Sequence, residues 1–270
     1  MSEPSFATLL IGDSHYAAVA TAAQERLVFD PSQLRTDLIF FDAWKYGLSY
    51  QFTSDEIGSV ELNMQLRENI EILSRNYDNI SLVTMLGGGH HLALTVLDND
   101  GPLEVVLPGE PHLPLRDDAT LLSLDMIEDI FLQLIQPTFN TLKAFRAALP
   151  QVAMLQVECP PANGDNEYVR NHIGNYFEKL YSPEQLDALS TPVQRYKFWK
   201  VQSNMYQKTC SELGIEYMKV PPSAIDGSGF LKPEHYGPDS THANALYGNV
   251  IIDALESRFG CKFVGWNSFG

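Results

Sequence analysis

The composition of the chain changes at Gly12 within the stretch Phe6-Ala-Thr-Leu-Leu-Ile-Gly-Asp-Ser-His-Tyr-Ala-Ala-Val-Ala-Thr-Ala-Ala-Gln-Glu-Arg26. The residues before the glycine, Phe6 to Ile11, form a short apolar run that is typical of a buried strand. The residues after it, His15 to Arg26, are rich in alanine, which favours a helix. The sequence therefore predicts a strand, a sharp turn and a helix, with Ser14 in the turn.

Short apolar runs and helical segments continue to alternate along the chain. Further strands are predicted at Asp37 to Phe41, Ile80 to Leu86, Val152 to Val157 and Glu216 to Val220. Further helices are predicted at Leu62 to Arg75, at Leu121 to Leu149 with a break or kink at Pro137, at Val193 to Leu213 and at Ala243 to Phe259. This alternation predicts an α/β protein with a parallel sheet of about five strands, helices on both faces, and sites at the carboxyl ends of the strands.

Two segments interrupt this pattern. Asp98-Asn-Asp-Gly101 lies between the apolar runs Leu92 to Leu97 and Leu103 to Leu107. Because Asp-Gly readily adopts the positive φ values of a tight turn, we expect an inserted β-hairpin there. The polar and aromatic segment Asn163 to Pro192 is predicted to be a surface excursion with a short helix. No linker divides the chain, so we expect one domain over residues 1–270.

Composition limits the classes of partner. The chain carries 34 acidic and 18 basic residues, a net charge of -16, which argues against nucleic acid as a partner. No run approaches the roughly 20 apolar residues of a membrane span. The start of the chain lacks the features of a signal peptide, so a cytoplasmic location is the simplest expectation, although a mature form without its signal would look the same. The three cysteines, Cys159, Cys210 and Cys261, are widely spaced, and we expect reduced, mostly buried thiols.

Ser14 stands where a nucleophile can act. A strand end projects the serine out of the sheet, and the N-terminus of the following helix offers free N–H groups to a developing oxyanion. The alternative is that Asp13 or Ser14 caps the helix, which both residue types do well.

Asp239 and His242 precede the closing helix. A serine needs a base to take its proton, and the imidazole needs a carboxylate to fix its tautomer. Residues three apart in one turn can form that pair. The alternative is again a helix cap by Asp239, Ser240 or Thr241, with His242 on the surface.

The two motifs together resemble the SGNH (GDSL) hydrolases over nearly the whole length of the chain. The resemblance extends to Asp226-Gly-Ser-Gly-Phe-Leu-Lys-Pro-Glu-His-Tyr236 and to Tyr196-Lys-Phe-Trp-Lys200. It implies a flavodoxin-like three-layer α/β/α sandwich, a serine esterase or lipase activity without a cofactor, and a triad of Ser14, Asp239 and His242.

The oxyanion hole departs from the family pattern. The family adds a backbone N–H from a glycine after the second strand, for which Gly47 is the candidate. It also adds an asparagine amide after the third strand, where this chain has Gly89. Three replacements are open: an imidazole N–H of His90 or His91, a backbone N–H of the glycine run, or a displaced motif at Asn99-Asp100.

Three further groups have a functional and a structural interpretation. His90 and His91 could bind a metal. However, adjacent histidines in an extended segment point to opposite faces, and no further ligand accompanies them, so we expect no metal. We expect His91 to face the substrate instead. Glu158 and Cys159 end a predicted strand and could face the site. The aromatic residues Tyr196, Phe198 and Trp199 could line a pocket, but we expect them in the core.

The resulting hypothesis is a carboxylic ester hydrolase with an acyl-Ser14 intermediate, acting on a small-molecule or glycan ester such as an acetylated sugar. Two alternatives remain: an O-acyltransferase with the same triad, and a non-catalytic binding module whose oxyanion hole is degenerate at Gly89.

Overall fold

A parallel sheet of seven strands runs through the part of the chain that the structure describes. The structure is a computed structural model, and it describes residues 5–29, 35–41, 51–53, 60–98 and 101–269. The strands of these residues are β1 (Phe6–Gly12), β2 (Val28–Phe29), β3 (Thr36–Phe41), β4 (Gln51–Thr53), β5 (Val60–Leu62), β6 (Asn79–Met85), β7 (Leu103–Val105), β8 (Thr120–Leu122), β9 (Ala153–Val157), β10 (Glu216–Met218) and β11 (Gly265–Phe269).

The helices lie between these strands. They are α1 (Tyr16–Arg26), α2 (Met64–Asn76), α3 (His90–Thr95), α4 (Leu124–Ala148), α5 (Asn166–Asn171), α6 (Asn175–Leu180), α7 (Pro183–Leu186), α8 (Pro192–Leu213) and α9 (Ala245–Phe259). Two short 3-10 helices, Pro222–Ala224 and Pro233–His235, precede α9.

The order of the central sheet is β10-β9-β6-β1-β3-β11-β2, and all neighbouring strands in it are parallel. The five predicted strands correspond to β1, β3, β6, β9 and β10. In space they follow the order second, first, third, fourth, fifth, which is the flavodoxin order. In such a sheet the crevice forms where the strand order reverses, which here is between the carboxyl ends of β1 and β6.

Helices cover both faces of the sheet. On one face, α2, α4 and α8 bury Ile70, Phe145 and Phe198 against the strands. On the other face, α1 and α9 bury Val19 and Ile251. The predicted three-layer α/β/α class is therefore confirmed.

The packing of α1 on α9 is close enough to require a glycine. A Cβ on Gly248 would stand only 2.1 Å from the carbonyl oxygen of Ala18. Ser14 lies two residues before α1, and His242 lies three residues before α9. This helix pair therefore brings the first and last candidate motifs of the chain together.

The predicted β-hairpin around Asp98-Asn-Asp-Gly101 is wrong. Most of the run Leu92 to Leu97 lies in the helix α3, and β7 pairs in parallel with β8 instead of turning back on the preceding run. The buried residues Leu92, Thr95 and Val96 have the i, i+3, i+4 spacing of a helix, which is hard to distinguish from a strand in so short an apolar run. Asn99 and Asp100 themselves lie outside the described residues.

Three smaller differences concern strand number and helix continuity. The strands β11 and β2, which extend the sheet beyond β3, were not predicted. The helix α4 continues through Pro137 without a break. The segment predicted as a surface excursion with one short helix contains α5, α6 and α7.

Candidate active site

A cavity of about 810 Å³ opens at the carboxyl ends of β1 and β6, at the reversal of strand order. The turn after β1, the glycine turn and start of α3 after β6, the residues around the start of α6, and the segment before α9 form its walls. Its lining residues are 13–15, 87–90, 92–93, 173–175, 177, 238–239 and 241–242. The cavity therefore contains Ser14, Gly89, His90, Asp239 and His242 of the predicted site. Gly47 lies outside the described residues.

Ser14 is exposed in the turn between β1 and α1. The residue that caps α1 is His15, and its side chain makes no capping hydrogen bond. The carboxylate of Asp13 accepts a hydrogen bond from the backbone N–H of Gly87, at 2.6 Å, and none from α1. The alternative that Asp13 or Ser14 caps the helix is therefore wrong, and the exposed Ser14 lines the cavity.

Asp239 and His242 form a hydrogen-bonded pair. His242 Nδ1 lies 2.7 Å from Oδ2 and 2.9 Å from Oδ1 of Asp239. Oδ1 also accepts the backbone N–H groups of Thr241 and His242 and the Thr241 hydroxyl. The helix α9 is capped instead by Asn244, whose side chain accepts two backbone N–H groups of the first turn. The cap interpretation of Asp239 is therefore wrong.

The electrostatics of this pair favour an ionised carboxylate. Burial by itself raises the pKa of Asp239, but the hydrogen bonds from His242 and Thr241 outweigh it, so that the pKa lies well below its usual range. With Nδ1 directed at a carboxylate, the proton of neutral His242 belongs on Nδ1. Nε2, on the opposite edge of the ring, is then free to accept a proton.

Residues 168–173 brace the loop that carries this pair. The Tyr168 hydroxyl donates to the carbonyl of Gly237, and the backbone N–H of Ser240 donates to the carbonyl of His172 at 2.6 Å. The Ser240 hydroxyl donates to the carbonyl of Ile173 at 3.1 Å. The excursion that the sequence placed on the surface is therefore part of the site.

The two neighbouring histidines have different positions. His90 lines the cavity, and its Nδ1 lies 3.0 Å from the carbonyl oxygen of Gly87. His91 is fully buried and is absent from the lining of the cavity. The expectation that His91 faces the substrate is therefore corrected. Both residues lie in the first turn of α3, where successive side chains point about 100° apart and only one of them can face the cavity.

His15 is a site residue that the sequence analysis did not single out. It lines the cavity but is only 5% exposed, and its ring centroid lies 5.0 Å from that of His242. Burial, the neighbouring His242 and His91 together lower its pKa to about 3, so the imidazole is neutral. The sequence feature that could have identified His15 as a site residue is its position directly after Ser14.

The remaining candidates lie away from the cavity. Phe198 and Trp199 are buried in the core, as predicted, and the hydroxyl of Tyr196 donates to Glu110. Cys159 and Glu158 are absent from the cavity lining, and burial raises the pKa of the Cys159 thiol.

Within the described ranges, no group of three or more His, Cys, Asp or Glu side chains is arranged to hold a metal. Of the helices described, none is both long and apolar enough to cross a bilayer.

Comparison with known proteins gives distant structural likenesses. No family model matches the chain, and no curated protein matches it. One similar solved structure is the periplasmic domain of a lipopolysaccharide acetyltransferase from Salmonella ser. Paratyphi A, at 12% identity and a TM-score of 0.44, covering 96% of this chain and 85% of that one. Another is a gut microbial diltiazem-metabolizing enzyme, at 10% identity and a TM-score of 0.41, covering 94% of this chain and 47% of that one. Likenesses at such low scores and identities do not identify a function.

The burial of His91 generates a prediction about stability and pH. Burial lowers its pKa from 6.5 to about 3 in the folded chain. Between these values the unfolded chain binds a proton that the folded chain does not, so folding stability falls as the pH falls from 6.5 towards 3. We expect His91→Leu to reduce this dependence by about 1 kcal/mol per pH unit.

The measurement is urea unfolding of both proteins at pH 7.5, 6.5, 5.5 and 4.5. His112→Leu, a change at an exposed histidine, is the matched control and should leave the pH dependence as it is in the wild type. Equal slopes for the wild type and His91→Leu would show that His91 is protonated in the folded state.

Proposed function

We propose that this protein is a serine ester hydrolase of the SGNH (GDSL) type, which acts through an acyl-Ser14 intermediate. The observation that carries the proposal is the hydrogen-bonded pair of Asp239 and His242, which opens into the same cavity as the exposed Ser14. A nucleophile, a base and a group that orients the base are the three parts that nucleophilic acyl transfer requires.

The first half of the reaction acylates the serine. Ser14 Oγ attacks the carbonyl carbon of the ester while its proton passes to Nε2 of His242, and the electron pair of the carbonyl bond moves to the oxygen. Asp239 stabilises the imidazolium through Nδ1. When the tetrahedral intermediate collapses, the bond to the leaving alcohol breaks, and the alcohol takes the proton from His242. Water then repeats the sequence on the acyl-enzyme and releases the acid and the free serine.

The cavity walls indicate the kind of ester. Leu92, Ala93, Ile173 and Phe177 give one part of the cavity an apolar surface that suits an acyl group. No lysine or arginine is present among the described residues that line the cavity, whereas Asp239 is ionised. Both observations favour an uncharged ester, such as an acetylated sugar, over a phosphorylated or otherwise anionic one.

A burst experiment tests the nucleophile. With p-nitrophenyl acetate, we expect the wild type to release a burst of p-nitrophenol and to gain the mass of one acetyl group, because the acyl-serine accumulates. Ser14→Ala should show neither. Ser228→Ala removes an exposed serine outside the cavity and should behave as the wild type does. If all three proteins show the same slow background with this and with longer acyl esters, the alternative of a non-catalytic binding module is favoured.

A second substitution tests the carboxylate. Asp239→Asn keeps the size of the side chain but fixes the wrong tautomer of His242, and a loss of about 10⁴-fold in kcat is expected for a triad of this kind. The matched control is Asp129→Asn, on the exposed side of α4, with kcat unchanged. A loss of less than tenfold for Asp239→Asn would mean that His242 acts without this carboxylate.

O-acyltransfer is a second candidate, because an acyl-serine can pass its acyl group to an alcohol instead of to water. A volume of about 810 Å³ leaves room for an acceptor beside a small acyl group. With a sugar or glycerol added to the acetyl-enzyme, an acyltransferase gives the acetylated alcohol as its main product and loses the acetyl group faster. A hydrolase gives acetate, at a rate that does not depend on the added alcohol. Product analysis by mass spectrometry distinguishes the two.

A further inference from the structure

The proposed reaction requires hydrogen-bond donors for the oxyanion. In the proposed reaction the backbone N–H of Ser14, just before α1, is one of them. Residue 89, a glycine, supplies no side chain. The question is therefore which side chain of the cavity wall near Ser14 can donate a second hydrogen bond.

His90 and Thr241 are poorly suited to this role. The Nδ1 of His90 lies 3.0 Å from a carbonyl oxygen, which is only an acceptor, so this nitrogen carries the proton of the neutral ring and Nε2 is left as a lone pair. The hydroxyl of Thr241 is used by Asp239 at 3.0 Å and lies 3.1 Å from His242 Nδ1. Both side chains already direct a hydrogen at an acceptor of the protein.

His15 has the required geometry. Its ring lies directly against Gly88, where an added Cβ would come within 2.4 Å of the ring carbon Cδ2. Its Nε2 lies 3.9 Å from the point where a Cβ at Gly89 would stand, and apart from the neighbouring residues of the chain it is the only described atom within 4 Å of that point. The imidazole nitrogen of His15 therefore faces the open space beside residue 89.

The other ring nitrogen, Nδ1, is buried and has no hydrogen-bond partner among the described residues. A proton there would be an unsatisfied buried donor, whereas a proton on Nε2 faces the cavity. Because burial keeps His15 neutral, with its pKa at about 3, it does not compete with His242 as a base. A neutral imidazole is a suitable partner for a developing oxyanion, since it donates a hydrogen bond without transferring its proton.

We infer that His15 is an oxyanion-hole residue, donating a hydrogen bond from Nε2 to the carbonyl oxygen of the substrate as Ser14 attacks. This inference rests on the proposed function. It assigns to the residue after the nucleophile the role of a second donor, and it explains why Gly88 lacks a side chain: a Cβ there would displace the imidazole.

The test separates donation from packing. His15→Phe keeps an aromatic ring beside His242 but removes the N–H, and the rate of Ser14 acylation should fall by about 10²- to 10³-fold. Gly89→Asn places an amide in the same open space, so the double variant His15→Phe/Gly89→Asn should recover most of this loss. His112→Phe, at an exposed histidine outside the cavity, is the matched control and should acylate at the rate of the wild type.

Two results would overturn the inference without affecting the proposed function. One is an acylation rate for His15→Phe within threefold of the wild type. The other is a loss that Gly89→Asn does not restore and that is accompanied by a shifted pH profile of kcat/KM, which would make His15 a positioning residue for His242. Absence of any Ser14-dependent acylation in the wild type would instead overturn the proposed function, and this inference with it.

A structure of the unmutated protein with a phosphonate on Ser14 provides a measurement that needs no variant. The phosphonyl oxygen mimics the oxyanion, and we expect it at about 2.7–3.1 Å from His15 Nε2. An oxygen bound only by backbone N–H groups, with His15 beyond hydrogen-bond distance, would contradict the inference.

Discussion

The hydrogen bond from the Gly87 backbone N–H to the Asp13 carboxylate, at 2.6 Å, joins the turns that follow β1 and β6. The backbone N–H of Asp13 reinforces it by donating to the carbonyl of Met85. From the other side, the side-chain amide of Gln202 donates to the carbonyls of Gly87 and Gly88 and accepts the backbone N–H of His91. The glycine turn, residues 87–89, is therefore held from two sides. These hydrogen bonds fix the position of the cavity wall that the turn forms.

The local parts of this arrangement could be predicted from the sequence. The apolar run that ends at Gly12 predicts β1 and its turn, because strand period and turn chemistry are local properties. The placement of Ser14 at a strand end and the spacing of Asp239 and His242 are local in the same sense. Each of these signals depends on a few consecutive residues.

The parts that could not be predicted depend on contacts between distant segments. The role of Gly88 follows from its contact with the ring of His15, which lies more than seventy residues earlier in the chain. The spacing of residues along the sequence does not predict that contact. The same holds for His91, whose burial is decided by the packing of α3 on α8. The short helix α3 was mistaken for a strand because tertiary contacts decide the structure of brief apolar runs.

The bracing of the Asp239 loop has a consequence for loop exchange. Ile173 and Phe177, which line the cavity, belong to the same segment whose backbone carbonyls at His172 and Ile173 accept the hydrogen bonds of Ser240. The shape of the cavity and the position of the Asp239–His242 pair therefore depend on the same segment. A different sequence grafted into this segment would change the wall of the cavity and, unless those two carbonyl contacts were kept, would also move the loop that carries Asp239.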